Sequence, residues 1–379
     1  MSKVSTEIIL FTCGNSRIIT TWSNVPFLFA KALEKKGFIL HRVDISPSKI
    51  INRIFNTASF YIFKKLFHLR SCPEFHRTWL HRAIIYRRLK KANKMYPESE
   101  LNLFLSFAFI NKYSLKPNVL WCDWTDRVVI ERLGRAPKWY EKRSLMHEDG
   151  VMKRADAVYT MFPKCREHLE DLYQRSVNYL NRNVINTVYE GVFDLESTTL
   201  TRKQSNKILF IGNLRYKSGA VMLIQAVNEL RPKMPDLEVH VIGMTEKELG
   251  QYKNVVCHGY LHKDNEKERN LYYELLLSSR CLVNPTKGWA GYSSCVEAMY
   301  YGCPIIISPY EDFTAEFGKD ITFGYYCDEY NVKDKIEQLF SCSGYPSMCE
   351  SAHIAVKDYT WDNYMDDFIQ SLQDKGLLK

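Results

Sequence analysis

Short apolar runs alternate with longer segments of helical periodicity along the chain, and this order predicts an α/β fold. The first strand, helix and strand are predicted at residues 7–12, 25–36 and 38–43. Ser23 or Asn24 is placed to cap the helix, and Pro26 suits its first turn. Ligands of open α/β sheets bind at the carboxyl ends of the strands. The loop that begins with Gly14 and Asn15 is therefore a candidate ligand loop, with simple turn chemistry as the alternative.

The same pattern restarts in the second half of the chain, after a polar run at residues 196–207. Further strands are predicted at residues 207–212, 237–243 and 254–261. A basic loop follows Gly212, and its Arg215 and Lys217 are aimed where a diphosphate would sit. Loop charges exposed to solvent are the alternative interpretation.

Residues 283–308 are the most informative segment, because they read as strand, glycine-bearing loop, helix, turn and strand. Gly288 and Gly291 allow the loop backbone to approach a ligand closely. The helix is predicted to open at Tyr292, Ser293 and Ser294. Its unpaired N–H groups and positive dipole end favour a diphosphate. Glu297 lies further along the helix, where its carboxylate can accept hydrogen bonds from a ribose. A buried Glu satisfied by a neighbouring side chain is the alternative.

This segment resembles the retaining glycosyltransferases of family four, which read Glu-Gly-Phe-Gly, four residues, Glu-Ala-Met, two residues and Gly-x-Pro. The present chain reads Trp289-Ala-Gly-Tyr, four residues, Glu297-Ala-Met, two residues and Gly-Cys-Pro304. The resemblance implies that Glu297 contacts the nucleotide ribose. Trp289 replaces the family's first acid, which contacts the donor sugar. It either closes a smaller or more apolar donor pocket or marks a sugar-nucleotide binder with weak catalysis.

Two further loops extend the resemblance. In the family the basic loop reads Gly-Arg and then Lys-Gly, whereas here Asn213 replaces the Arg and the spacing of Lys217 is altered. The resemblance still implies that Arg215 and Lys217 contact the phosphates. The loop in which related enzymes hold the base consists here of Gly259, Tyr260 and Leu261. Tyr260 is placed to stack on the base.

No metal ion is expected. His258 and His262 have no third ligand at a suitable spacing, and ordinary polar roles are predicted for both. The chain also has no apolar-flanked Asp-x-Asp of the kind that metal-dependent transferases use.

Two acids follow a strand predicted at residues 117–122. Similar transferases often have a His, sometimes with an Asp, at the end of the corresponding strand, where it reaches the donor sugar. The resemblance therefore implies that Asp123 lies near the sugar and is catalytic, as are Arg215 and Lys217 at the phosphates. Asp126 is either a second acid of the site or the cap of the next helix.

Basic residues are concentrated at residues 49–95, which hold twelve Lys or Arg against the single acid Glu74 in a chain of net charge +9. They alternate with aromatic and aliphatic residues at helical spacing, as in helices that bind anionic membrane surfaces. A solvated basic face is the alternative. Nucleic acid is not expected, because no helix-turn-helix, zinc-finger or RNP signature is present. The eleven scattered cysteines indicate reduced thiols, and no apolar run is long enough to span a bilayer.

These observations predict the GT-B fold, in which two Rossmann-like domains face each other across a cleft and the last helix crosses back to the first. The acceptor-side domain is predicted at residues 1–192, completed by 358–379, and the nucleotide-sugar domain at 193–357.

The implied reaction moves a sugar, with retention, from a UDP- or GDP-linked donor to a hydroxyl of a carbohydrate or lipid-linked acceptor. Glycan, surface polysaccharide or lipid-linked oligosaccharide assembly is the expected setting, in the cytoplasm or on the inner face of a membrane. No cofactor is expected. The alternative is a non-catalytic, hydrolytic or epimerising nucleotide-sugar-binding protein attached to a membrane surface.

Overall fold

The computed structural model describes residues 6–180, 184–287 and 292–379, which form two compact units. The first unit contains residues 6–180 and 361–379, and the second contains the described residues between 184 and 360. The boundaries predicted from the sequence are 192 and 358, whereas the described residues divide between 180 and 184 and at 360. Among the described helices, none combines the length and hydrophobicity that a bilayer-spanning segment needs.

The first unit is built around a parallel sheet. In the described residues its strands are β1 (Glu7–Thr12), β2 (Ile39–Asp44), β3 (Leu101–Leu105), β4 (Asn118–Cys122) and β5 (Ala157–Thr160). They lie in the order β2-β1-β3-β4-β5, and all neighbouring pairs are parallel. Residues 8–11 of β1 are fully buried, as expected for a central strand covered on both faces.

Helices join these strands. They are α1 (Val25–Lys35), α2 (Lys49–Ser59), α3 (Trp79–Met95), α4 (Asp126–Arg132), α5 (Lys142–Arg154) and α6 (Pro163–Tyr173). A π-helical segment, Phe60–Leu66, continues α2 directly, and single 3-10 turns lie at Thr21–Asn24 and Phe75–Arg77.

The start of α1 differs from the prediction. Trp22, Ser23 and Asn24 have φ values of 42°, 51° and 71°. Asn24 precedes the helix but makes no capping hydrogen bond, so the predicted cap by Ser23 or Asn24 is wrong. A capping residue normally has extended backbone, and the left-handed conformation of Asn24 departs from it. Pro26 does lie in the first turn, as predicted.

The second unit repeats the α/β design. In the described residues its strands are β6 (Lys207–Ile211), β7 (Glu238–Ile242), β8 (Val255–Gly259), β9 (Cys281–Asn284), β10 (Ile305–Ile307) and β11 (Gly324–Tyr326). They lie in the order β11-β10-β9-β6-β7-β8, and all pairs are parallel. The loops after β6, β8 and β9 therefore leave the same edge of the sheet.

The helices of the second unit pack around this sheet. They are α7 (Leu195–Lys203), α8 (Lys217–Leu230), α9 (Glu246–Leu249), α10 (Glu266–Ser278), α11 (Ser293–Tyr300), α12 (Glu311–Phe317), α13 (Val332–Phe340) and α14 (Tyr345–Val356). The core includes Phe210 of β6, Leu223 of α8 and Ile336 of α13.

The last helix, α15 (Trp361–Asp374), belongs to the first unit, as predicted. The Trp121 indole of β4 donates a hydrogen bond of 2.6 Å to the Tyr364 hydroxyl. The ring of Phe368 meets that of Phe29 of α1 edge-on at 5.6 Å. All four side chains are buried, so α15 completes the core of this unit.

Candidate active site

Glu297 is buried in α11, with 4% of its surface exposed, and its carboxylate accepts four hydrogen bonds. Lys263 Nζ donates to Oε1 at 2.8 Å and to Oε2 at 3.0 Å. The Tyr272 hydroxyl donates to Oε2 at 2.8 Å, and the Tyr273 hydroxyl to Oε1 at 3.0 Å. A carboxylate offers about four lone-pair sites. All of the acceptor sites of Glu297 are therefore in use, and the alternative of a buried Glu satisfied by neighbouring side chains describes this structure.

The two tyrosines are firmly held donors. Both lie on α10 and are at most 5% exposed. The Tyr273 hydroxyl also accepts hydrogen bonds from the Val188 amide, at 2.8 Å, and from the Thr187 hydroxyl, at 3.1 Å. Burial, followed by the nearby Glu297 charge, raises the pKa of both phenols, so they remain protonated donors.

Lys263 is the donor that comes from a loop, in the segment between β8 and α10. Its ammonium lies 4.1 Å from the centroid of the Tyr272 ring and 5.2 Å from that of Tyr273, within the range of cation–π attraction. Its side chain is 13% exposed, against 5% for that of Glu297. Of the three donors, Lys263 is the one best able to move, because it lies in a loop whereas both tyrosines are held on α10.

The helix that carries Glu297 begins at Ser293, close to the predicted opening. Tyr292 and the first turn, Ser293 and Ser294, lie within the described residues. Tyr292 is fully buried, and its ring packs edge-on against Phe313 at 5.3 Å. Gly288 and Gly291, to which the sequence assigned the diphosphate loop, lie outside the described residues, as does Trp289, which replaces the family's sugar-contacting acid.

The basic loop after β6 forms a 3-10 turn, Leu214–Tyr216, that leads directly into α8. The Asn213 side chain accepts a hydrogen bond of 3.0 Å from the Arg215 amide and so shapes the turn. Both Arg215 and Lys217 are exposed, and Lys217 Nζ donates to the Glu248 carbonyl. Glycine is favoured at position 212, because a Cβ there would lie only 2.9 Å from the Phe210 ring.

The end of β8 and the loop after it place Gly259, Tyr260 and Leu261 at the same edge of the sheet. Gly259 has a φ of 68°, and its amide donates to the Met244 carbonyl at 3.0 Å. Leu261 is buried, whereas the Tyr260 ring is 56% exposed and therefore available for stacking. His258 Nε2 lies 3.0 Å from His240 Nδ1.

In the first unit, Gly14 and Asp123 follow β1 and β4. Gly14 has a φ of 110°, which disfavours other residues, and its amide donates to Asp44 at 3.1 Å. The Asp123 carboxylate accepts from the Trp124 amide at 2.8 Å and contacts the Cys122 thiol at 3.1 Å. Burial raises the pKa of Asp123.

Asp126 does not cap α4. The cap is Thr125, whose hydroxyl accepts a hydrogen bond of 3.1 Å from the Val128 amide. The Asp126 carboxylate instead forms an ion pair with Arg77, with N–O distances of 2.7 and 3.3 Å. The Glu148 carboxylate accepts the Asp126 and Arg127 amides, at 2.8 and 3.2 Å. Burial raises the pKa of Glu148 to about 8.

Sequence reasoning missed Lys263, Tyr272, Tyr273 and Glu148. A buried acid such as Glu297 requires donors, and this requirement was the available signal. It did not indicate which of many candidate donors would meet the acid.

Residues 194–355 match the family described as Glycosyl transferases group 1. The second unit therefore carries a group 1 glycosyltransferase domain, and glycosyltransferase is the enzyme class that fold and domain define.

Among its relatives, the chain is 21% identical over 360 residues to an uncharacterized glycosyltransferase of Haemophilus influenzae, with 92% of this chain and 93% of that protein covered. It is similar to WaaG, a glycosyltransferase involved in lipopolysaccharide biosynthesis, with a TM-score of 0.63, 14% identity and coverage of 96% and 99% of the two chains. It is also similar to Anabaena HepE in complex with UDP-glucose, with a TM-score of 0.61, 12% identity and coverage of 96% and 100%. These likenesses confirm the predicted GT-B fold.

Proposed function

We propose that the chain transfers a sugar from a nucleotide diphosphate sugar to an acceptor hydroxyl with retention, as the family four enzymes do. The observation that carries this proposal is the buried carboxylate of Glu297, which the Lys263 contact joins to the loop after β8. The loops after β6, β8 and β9 share the carboxyl edge of one parallel sheet, where α/β folds bind nucleotides. The likeness to HepE, whose structure contains UDP-glucose, supports a nucleotide-sugar donor.

In this proposal the ribose hydroxyls donate to Glu297 and take the place of the Lys263 ammonium. Arg215 and Lys217 bind the diphosphate and stabilise the charge that develops as it leaves. The departing phosphate accepts the proton of the acceptor hydroxyl on the same face of the sugar.

Asp123 contacts the donor sugar in this proposal. Burial raises the pKa of its carboxyl, and the carboxyl oxygens can accept hydrogen bonds from sugar hydroxyls. The reaction needs no metal ion, and EDTA should leave turnover unchanged.

Thermal unfolding with UDP, GDP, ADP and CMP tests the donor site, because a ligand that binds the native state raises apparent stability with the logarithm of its concentration over Kd. We expect a selective shift with one nucleoside diphosphate, UDP or GDP, and loss of the shift in Glu297→Gln. Glu350→Gln, at an exposed position of α14, is the matched control. A wild-type chain that responds to none of these nucleotides would contradict the proposed function.

Donor turnover then separates the reaction classes. A transferase consumes the donor sugar in proportion to added acceptor, whereas a hydrolase or epimerase consumes or converts it without acceptor. Binding with no turnover in either condition would assign the chain to the non-catalytic alternative.

We also propose that the acceptor is met at an anionic membrane surface, through a strip formed by α2 and the π-helical segment. The strip, defined as residues 49–67, exposes several large apolar side chains, with 72% of Ile50, 65% of Ile54 and 69% of Leu66 accessible. Lys49, Arg53, Lys64 and Lys65 are exposed beside them. Each contributes about 1 kcal/mol near an anionic surface, and the apolar side chains add to this by insertion.

The structure moves this proposal away from α3, which the sequence had included. Ile85 and Leu89 of α3 are fully buried, so the middle of its apolar stripe is core, whereas Trp79 in its first turn is 65% exposed. Arg88 donates to the Asp44 and Ser46 carbonyls, which ties it to the unit.

Sedimentation with vesicles of phosphatidylcholine alone, or mixed with phosphatidylglycerol, tests the strip. Binding is expected with the mixed vesicles and should be lost when Lys49, Arg53, Lys64 and Lys65 are replaced by Ser. An equal number of exposed lysines in the second unit, Lys233, Lys247, Lys253 and Lys319, provides the control. Undiminished sedimentation of the strip variant would exclude this attachment and leave the solvated-face interpretation.

A further inference from the structure

A second candidate site lies wholly within the first unit, as a cavity of about 310 Å³. It opens among residues that follow the strands of the sheet: Cys13 after β1, Ile45 after β2, Phe109 after β3 and Asp126 after β4. Its volume is at the lower end of the range for small-molecule pockets. The cavity is thus at the edge where α/β sheets bind ligands, and it shares no residue with the Glu297 cluster.

Two histidines that line the cavity each have a ring nitrogen without a partner. His81 is 4% exposed, and its Nδ1 lies 2.9 Å from the His76 carbonyl. The His147 ring bonds to the Ala108 backbone, and since its Nε2 has no partner, this bond is assigned to Nδ1. Among the described residues, Nε2 of His81 and Nε2 of His147 are buried and meet no hydrogen-bond partner. Leaving such an atom unsatisfied costs about 1–3 kcal/mol.

The chemistry of these two atoms follows from the tautomers. A carbonyl oxygen only accepts, so each ring donates its Nδ1 proton to the backbone. Burial lowers the pKa of His81 and of His147 to about 4, so both rings are neutral at pH 7. Nε2 is then a lone pair that can accept a hydrogen bond but cannot donate one. A ligand for this pair must therefore carry hydroxyl or N–H donors.

The acids that line the cavity carry little uncompensated charge, because Asp126 is paired with Arg77 and a pKa of about 8 leaves the Glu148 carboxyl mostly protonated at pH 7. Asp126 and Glu148 both line the cavity, and Arg82 is the cation that accompanies them. The Arg82 guanidinium is already bonded to the Arg77 carbonyl, at 3.3 Å. Asn52 and Ser144 supply neutral polar groups.

An aromatic wall lies between the two histidines. The Phe109 ring meets His81 edge-on at 5.9 Å and His147 at 5.7 Å, and it is itself 4% exposed. An apolar wall with hydrogen-bond acceptors on either side suits a ring that has C–H faces and peripheral hydroxyls.

We propose that this cavity binds an uncharged sugar residue, whose hydroxyl groups donate to Nε2 of His81 and Nε2 of His147. The identification of this sugar as part of the acceptor rests on the proposed function; the binding itself does not. A phosphate or carboxylate group is not expected at this pair of histidines, because its oxygens are acceptors and two neutral Nε2 lone pairs offer it no donor.

Nuclear magnetic resonance of the full chain with labelled histidine tests this assignment. The probes are the methyl α-glycosides of glucose, galactose and mannose, each at high millimolar concentration, with glucose 6-phosphate and inorganic phosphate as charged comparisons. UDP and GDP are titrated separately. At least one neutral glycoside is expected to move the His81 and His147 ring signals, and the charged probes are not.

Variants at position 147 identify the interaction. His147→Phe keeps a ring but loses the lone pair, and it should weaken glycoside binding about tenfold, as the loss of one buried hydrogen bond does. His147→Gln retains an acceptor oxygen and should restore part of the affinity. Unchanged unfolding temperatures in both variants would show that the unit remains folded, and His81→Phe provides a second, independent variant.

Three results would overturn the assignment: tighter binding of phosphate than of every glycoside, glycoside binding unaffected by either Phe variant, or no movement of the ring signals with any glycoside, which would assign the cavity to water. Nucleotide binding alongside any of these leaves the proposed function standing. Glycoside binding without nucleotide binding would support the sugar assignment of the cavity and contradict the proposed function.

Discussion

Replacing Lys263 by Met is the change that tests most directly how Glu297 receives a ribose. Methionine keeps an unbranched apolar side chain but removes the ammonium, and with it two of the four hydrogen bonds to the carboxylate. The two tyrosine hydroxyls remain in place. The variant therefore separates the part of the cluster that can move from the part that is held by α10.

The stability of the empty protein should fall. Removing one partner of a buried ion pair costs about 3–5 kcal/mol. Because Glu297 retains two donors, we expect the free energy of unfolding to decrease by about 3 kcal/mol, the lower end of that range. Chemical denaturation of the wild type and of Lys263→Met measures this difference.

Nucleotide affinity should change in the opposite direction. In the wild type a ribose hydroxyl must displace a donor, because all of the acceptor sites of Glu297 are occupied. A hydrogen bond to a charged group contributes about 1.5–3 kcal/mol, and each 1.4 kcal/mol is a factor of about ten. Lys263→Met should thus bind the preferred nucleoside diphosphate at least about tenfold more tightly, as measured by calorimetric titration.

A weaker affinity in this variant would refute the reasoning, since it would show that the ammonium contacts the nucleotide itself. Lys233→Met is the matched control, because Lys233 pairs with Glu337 on an exposed surface of the same unit. It should leave nucleotide affinity unchanged.

Three further predictions follow from single positions. Lys217→Ala should reduce kcat with little loss of folding, and unchanged turnover in single-turnover kinetics would remove its role at the phosphates. Folding raises the pKa of Glu148 from 4.5 to about 8, so the stability linked to this group is present below pH 4.5 and is lost as the pH rises to about 8. Denaturation across that window should show that Glu148→Gln gains stability relative to the wild type as the pH rises, and parallel curves would contradict the shift. Trp289→Glu should change the preference among donor sugars in competition assays, whereas an unchanged preference would leave Trp289 a packing residue.

The sheet strands could be predicted because each is a compact apolar run bounded by polar or glycine residues. The predicted strand 7–12 coincides with β1, and 207–212 differs from β6 by one residue. The entry into α1 could not be predicted, because Ser23 and Asn24 adopt left-handed backbone inside the 3-10 turn Thr21–Asn24, and no residue pattern marks that conformation.

The partners of charged residues were the harder part of the site. Glu297 was identified from its motif, but its contact with Lys263 spans 34 residues of sequence. The pairing of Asp126 with Arg77 spans 49 residues, and it takes the place of the capping role that was one of the two alternatives for Asp126. Neither pairing has a periodicity or spacing of its own, since both arise only when separate elements pack together.

The return of α15 to the first unit sets an order of events during synthesis. The second unit is one continuous stretch, so the ribosome has completed it before residues 361–379 exist. Until then Phe29 and Trp121, which are fully buried in the finished protein, lack the helix that covers them. The first unit is thus translated first but reaches its final packing last. Any nascent chain that stops before α15 presents an uncovered aromatic surface to chaperones.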